Sequence, residues 1–429
     1  MSTTSIDISK WTIIDLHIHS RFAAACSKFI TIEELATVAK KKGINVIGTG
    51  DCLHSKWIEE IQAELNYEDD KQLLTNNIND VLFMLTTEVS NEYYDNGNFK
   101  SVHNILLFPS FEEVYAFRQQ VSSFGDLDSD GRPKLNLHCR KLAEIAGGLN
   151  ISIIPAHTYT PWNGIFAFKT GYNSIVEAFG DNSAILALET GLSSDPLMNS
   201  KVAATKGIPL VSFSDPHMAE LSRVGREATI LDLAMSEPSY KNIIGTIKRA
   251  PNLNFVGTIE VPPEYGKYHI AGHRKCKTSA EVAGVCSVCG KAMTKGVLER
   301  ITELSNGGPY NTQKQFNLLP LEDLLKGAGY KPKKRKEIID KLFIWHKTEY
   351  EILLSSDEQE LQSQVGPFVA KVIMMNRAGK LTIKAGYDGQ YGQPIFAEKA
   401  PSDSKKQEAP KIKSKLKDTA IIPELDAYF

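Results

Sequence analysis

The first 235 residues alternate between short, unbroken apolar runs and helical patterns, and that alternation limits the fold more than any other feature of the chain. The runs are WTIIDL (11–16), INVIG (44–48), VLFMLTTE (81–88), HNILLF (103–108), ISIIP (151–155), ILALE (185–189) and IPLVSF (208–213). Between them, segments such as IEELATVAKKKG (32–43) and FEEVYAFRQQ (111–120) repeat apolar residues at helical spacing. A strand that is apolar on both faces must be covered on both, as in parallel α/β sheets. Seven such strands in this length predict a closed barrel rather than two small open sheets. Barrels of this kind carry their chemistry at the C-terminal ends of the strands.

Ligand-type residues collect at those ends. Asp15, His17 and His19 close the first run, Asp51 and His54 the second, Glu88 the third, His157 the fifth, and Asp215 and His217 the last. His103 opens the fourth run, where no strand-end argument applies. On an extended segment the outer residues of an H-x-H or D-x-H pair point the same way, which suits chelation. Histidine and carboxylate together accept divalent metals, and so many candidates suit two or three ions. Such ions make a bound hydroxide nucleophilic near neutral pH and offset charge on phosphoester oxygens. Phosphoester hydrolysis is the natural reaction, with metal-dependent amide hydrolysis as the second. His138 sits at a helix start and reads as structural. Cys26, Cys52 and Cys139 lack paired spacing and read as buried thiols.

The second half differs in charge. Residues 1–235 hold 19 Lys and Arg against 29 Asp and Glu, whereas residues 236–429 hold 30 against 22, so a net charge of −2 conceals an acidic and a basic half. A basic half suits a polyanion. His273, Cys276, Cys286 and Cys289 form two x2-spaced pairs joined by nine residues, the pattern of two knuckles on one structural zinc, with His269 competing for the first position. Lys267, Arg274, Lys275, Lys277, Lys291 and Lys295 make that module basic, and KPKKRK (331–336) adds a further cluster. LEDLLKGAGY (321–330) and the run 336–356 read as helices, and 380–396 as strands or turns. The expected organisation is a barrel over 1–240, a zinc-binding module over 262–302, a mostly helical domain over 303–397, and a Lys-rich disordered tail over 398–429. The tail ends in apolar residues, and the spacing of Leu425, Tyr428 and Phe429 resembles sliding-clamp-binding peptides. No basic-then-apolar leader and no apolar run of about 18 residues occurs, so a cytoplasmic protein is expected.

The order of the candidate ligands resembles that of the polymerase-and-histidinol-phosphatase (PHP) metallophosphoesterases. The resemblance implies a distorted (β/α)7 barrel with two to three divalent metals (Zn, Mn or Mg). By it, His17, His19, Glu88 and Asp215 hold one metal, and Glu88 bridges to a second completed by His103 and His157. Asp51, His54 and His217 hold the third, Asp51 standing in for an acidic residue that many members carry after the first H-x-H. Glu88, Asp215 and His217 would carry the reaction.

Over most of residues 11–396 the chain further resembles the endonuclease Q family. The matching stretches are GTGDCLH, PAHTYTPWNG, LETGLSSDP, SFSDPH, GREAT, CSVCG with KGVLERITEL, and AGYDGQYG. This implies a nucleoid-associated, monomeric DNA-repair endonuclease cutting 5′ to deaminated bases (uracil, hypoxanthine, xanthine) and abasic sites. In the aromatic loop 158–172, Trp162, Phe166 and Lys169 could meet an extruded base, or the loop could pack over the barrel mouth. A PHP phosphoesterase or exonuclease on another substrate, and a non-catalytic DNA-binding subunit, are the alternatives.

Overall fold

The computed structural model describes residues 6–180, 184–234, 236–249, 253–309 and 313–397. The clamp-like peptide with Leu425, Tyr428 and Phe429 lies outside them. Strands Thr12–Asp15, Val46–Gly48 and Leu82–Asp95 lie side by side and parallel. Asn98–Phe108 follows as an antiparallel neighbour, and Ser152–Pro155 pairs antiparallel with it in turn. A parallel bridge from Ile153 to Ile185 leads to the parallel pair Leu188–Glu189 and Leu210–Val211. The ring then returns through Ala228–Asp232, antiparallel to Thr12–Asp15. Between Leu210–Val211 and Ala228–Asp232 the link is made by a side chain, Thr229 Oγ1 bonding Ser212 N and O at 3.1 Å each. All seven expected strands are present. The ring is not uniformly parallel, because one strand enters by a tight hairpin and an eighth closes it from the opposite direction.

Strand alternation divides the apolar residues into two layers. Ile14, Val46, Met84, Ile105, Ile154 and Val211 join one buried cluster, to which helix Tyr240–Ile247 adds Ile243, Ile244 and Ile247. Their neighbours Ile13, Ile47, Phe83, Leu106, Ile153 and Leu210 join a second cluster together with the helices. Helix Ile32–Lys42 shows why those segments are helical. Thr31 caps its first turn by accepting from Glu34 N, Leu35, Ala36 and Ala39 face the core, and Gly43 ends it in the left-handed region at φ 100°.

Beyond the ring, Asn254–Glu260 extends the sheet and pairs with Gln315–Asn317. The small hairpin Ala271–His273 with Thr278–Ala280 opens the cysteine-rich module. The C-terminal part holds helices Leu321–Gly327, Pro332–Trp345, Glu358–Val365 and Pro367–Arg377. The run 336–356, expected as one helix, breaks after Trp345 and resumes as a π-helical turn at Glu351–Ser355. Glu349 lies between them and is drawn inward by a buried ion pair with Lys42 at 3.1 Å. Residues 380–396, read as strands or turns, hold the antiparallel pair Thr382–Lys384 and Gln393–Ile395. No helix among the described residues is long and apolar enough to cross a membrane.

Candidate metal centre and adjoining cavity

Two groups of ligand-type side chains meet at one mouth of the ring: His17, His19 and Asp215, and Glu88, His103 and His157. Glu88 stands between them. Its Oε2 lies 3.6 Å from His17 Nε2 and 3.3 Å from His19 Nε2, while its Oε1 lies 2.8 Å from His103 Nδ1 and 3.1 Å from His157 Nε2. Asp215 Oδ1 is 3.7 Å from His17 Nε2, 3.2 Å from His19 Nε2 and 3.5 Å from His217 Nε2. His17 Nε2, His19 Nε2, His103 Nδ1 and Asp215 Oδ1 are buried without a well-aligned hydrogen bond. Buried nitrogen and oxygen lone pairs that converge yet satisfy nothing are what divalent metals accept. The donor set therefore fits divalent ions.

Strand direction explains His103. Asn98–Phe108 runs against its neighbours, so its first half lies at the mouth where the parallel strands end. Asp51, His157 and Asp215 all have positive φ, at 45°, 30° and 43°, conformations that non-glycine residues hold at a cost and that concentrate at functional sites.

The third expected group is not assembled. Asp51 Oδ1 lies 3.1 Å from His19 Nδ1, and its Oδ2 accepts from Ser20 N at 2.6 Å, so this carboxylate orients His19 from behind. His54 is buried and stacks on Phe22 with ring centres 4.4 Å apart. His217 stays with Asp215 at the more open edge.

Glu189, absent from the ligand set expected from the sequence, is buried behind the centre. Its Oε1 accepts from His17 Nδ1 at 3.0 Å and its Oε2 from His157 N at 2.6 Å, so one carboxylate braces both groups. It ends a short apolar strand just as Glu88 follows TT, and that signal was available. Arg132 Nη1 lies 3.3 Å from Glu88 Oε2. Burial opposes charge on His17 and His19, but the carboxylates around them outweigh it and hold both pKa values well above the usual range. Burial dominates at His103 and pushes it down to about 4. His138 caps helix Cys139–Gly148 by accepting from Arg140 N, a structural role as expected.

A second cluster brings ligand atoms of His273, Cys276, Cys286 and Cys289 within 4.8 Å of one another. His269 points away, its Nδ1 3.2 Å from Ser193 O. Between this module and the aromatic loop lies a cavity of about 510 Å³, lined on one side by Trp162, Phe168 and Lys169 and on the other by Met293, Lys295 and Arg300. Arg300 ties the loop in place through Phe166 O at 2.8 Å and Asn173 Oδ1 at 2.7 Å. Phe166 does not reach the cavity wall as a contact residue. It is fully buried on Tyr159, because this end of the loop must cover the core.

The fold as a whole matches the crystal structure of PfuEndoQ, a lesion-specific endonuclease from Pyrococcus furiosus, with a TM-score of 0.80 and 32% identity over 92% of this chain and 98% of that one. The chain belongs to the endonuclease Q family. A second endonuclease Q structure, bound to a 27-mer duplex substrate with an abasic lesion at the active site, matches with a TM-score of 0.81 and 31% identity over 92% of this chain and 100% of that one. The uncharacterized protein YqxK of Bacillus subtilis is 29% identical over 397 residues, 88% of this chain and 98% of its own length. The uncharacterized protein MJ0043 of Methanocaldococcus jannaschii is 28% identical over 253 residues, 56% of this chain and 31% of its own. No protein-family model matches the chain.

Proposed function

We propose that this endonuclease Q relative is a metal-dependent DNA-repair endonuclease that hydrolyses the phosphodiester 5′ to deaminated bases (uracil, hypoxanthine, xanthine) and abasic sites. The observation that carries the reading is Glu88, whose two oxygens face two groups of ligand-type side chains, with His17 Nε2, His19 Nε2 and His103 Nδ1 buried and unsatisfied, in a fold shared with an endonuclease bound to a lesion-containing duplex. In this reading His17, His19, Asp215 and Glu88 hold one ion, and Glu88, His103 and His157 a second. Bound divalent ions supply a nucleophilic hydroxide near neutral pH and offset charge on the phosphoryl oxygens. Glu189 and Asp51 keep His17 and His19 turned toward the centre by holding their Nδ1 atoms. Arg132, partly exposed beside Glu88, supplies a fixed positive charge to a phosphate at the mouth. His273, Cys276, Cys286 and Cys289 hold a structural zinc that makes the small module rigid. An extruded base enters the cavity between that module and the aromatic loop, against Trp162 and Lys169.

The test is a set of end-labelled duplexes carrying uracil, hypoxanthine, xanthine, an abasic site or no lesion, incubated with Mg²⁺ or Mn²⁺. The expected product is a single nick on the 5′ side of each lesion. Equal cutting of the undamaged duplex, or stepwise shortening from its ends, would contradict the proposal.

A further inference from the structure

The two strands that supply Glu88 and His103 continue well past the metal centre. Leu82–Asp95 and Asn98–Phe108 form one long hairpin, turned at Asn96 and Gly97, both in the left-handed region at φ 49° and 76°. Ser90 faces His103, Glu92 faces Ser101, and Tyr94 faces Phe99. Since strand side chains alternate, Glu88, Ser90, Glu92 and Tyr94 share one face with His103, Ser101 and Phe99. The hairpin therefore carries metal-ligand candidates at its base and an aromatic pair at its tip on the same side. Tyr94 lies six positions beyond Glu88, a reach of about 20 Å at ~3.3 Å per residue.

The reverse face is filled. Val89, Tyr93 and Val102 are buried, and Tyr93 Oη bonds Tyr172 Oη at 2.8 Å. Both edges are braced as well. Ser90 pairs with Lys134 on one edge, and Ser101 N and His103 N donate to Thr170 O and Asn163 O of the aromatic loop on the other. The hairpin is thus a stiff extension of the barrel. Its front is open at the tip, where Tyr94 is 75% and Phe99 42% exposed, with their rings 5.6 Å apart. Arg132 and Lys134 flank this face on one edge, and Lys169 adjoins Thr170 in the loop that braces the other. Above the metal centre the acid on this face is Glu92, and it is paired with Lys134 at 3.1 Å.

We propose that this hairpin is a duplex-binding arm, and that Tyr94 and Phe99 make apolar contact with DNA about six base steps from the scissile phosphate, at ~3.4 Å per step. The inference rests on the DNA endonuclease reading above. It selects DNA as the occupant because the face is continuous with the metal centre, has basic edges, and offers at its tip the apolar side chains that enter a groove or lie on sugars. The arm has a defined reach, so its contribution depends on the length of duplex beside the lesion.

The experiment compares wild type with the double variant Tyr94→Ala/Phe99→Ala by fluorescence anisotropy on lesion duplexes. Each flank is shortened in turn from about 14 to about 4 base pairs, either side of the six-step reach. On long duplexes the variant should bind about 10-fold more weakly. Shortening one particular flank should weaken wild type by a similar factor and leave the variant unchanged. Tyr94→Glu, which puts a carboxylate against the backbone phosphates, should weaken binding further. Equal affinities of wild type and variant on long duplexes, with equal thermal midpoints, would overturn the arm while leaving the nuclease reading intact. So would a concentration-dependent dimer in sedimentation that the double variant abolishes, since the pair would then face a second copy. Failure of wild type to bind any lesion duplex would remove both readings.

Discussion

Glu88 illustrates what one residue can do when its two oxygens face different groups. It ends an apolar run, so burial opposes its charge, yet His103, His17 and Arg132 hold its pKa well below the usual range. Its position was legible in the sequence because an acid closing an apolar run has no packing reason to be there, although its strand continues past it to Asp95. The same held for His17, His19, His157 and Asp215. Asp51 and Glu189 carried a similar signal but do a different task, which depends on contacts across 32 and 172 residues of chain. No spacing rule distinguishes a carboxylate that would bind a metal from one that holds a ligand's far nitrogen. Glu189→Gln tests this division. It should lower metal affinity or activity about 10- to 100-fold, as loss of ligand-orienting partners does. Higher Mn²⁺ should recover most of the rate if Glu189 acts through His17. A variant with an unchanged Mn²⁺ requirement would show that the brace is dispensable.

Among the elements, strand direction and loop packing decide what the sequence could not express. His103 stands at the start of an apolar run because its strand runs antiparallel to Leu82–Asp95. Periodicity reports burial but not direction, so hairpins hide inside an apparently parallel pattern. The x2-spaced knuckles, by contrast, were legible because four ligands need close chain partners. In the aromatic loop, composition could not divide wall from core. Phe166 went inward, while Trp162 and Phe168 stayed 48% and 53% exposed at the cavity. Stacking on a base contributes about 1–3 kcal/mol, so Trp162→Ala should lower cleavage of uracil-containing duplex about 5- to 150-fold. Single-turnover rates at subsaturating enzyme would measure it. Unchanged rates would return Trp162 to packing against Tyr268, whose ring centre is 5.6 Å away.

In the whole molecule, the polar centre is set into a barrel that also buries two neighbouring acids, one of them within the field of Arg226, whose pull burial outweighs. Glu227 and Glu260 are fully buried, and burial pushes both pKa values well above the usual range, each helped by neighbouring acids. Glu227 Oε2 has no hydrogen-bond partner. A carboxyl whose folded pKa is raised contributes fully below its unfolded pKa, and that contribution is lost as pH rises through the folded pKa. Glu227→Gln removes the ionisation, so its thermal midpoint relative to wild type should rise from pH 5 to pH 8. An offset independent of pH would show that Glu227 is not held protonated. If Glu88 joins two metal groups into one hydrolytic centre, cleavage must depend on both metal and Glu88. Chelator-stripped protein is mixed with an abasic-site duplex under single-turnover conditions, and Mn²⁺ is titrated in. The expected result is no nick without metal, a rate that rises with Mn²⁺ to a plateau in wild type, and a plateau more than about 100-fold lower in Glu88→Gln. Cleavage by the stripped protein, or equal plateaus for the two proteins, would contradict it.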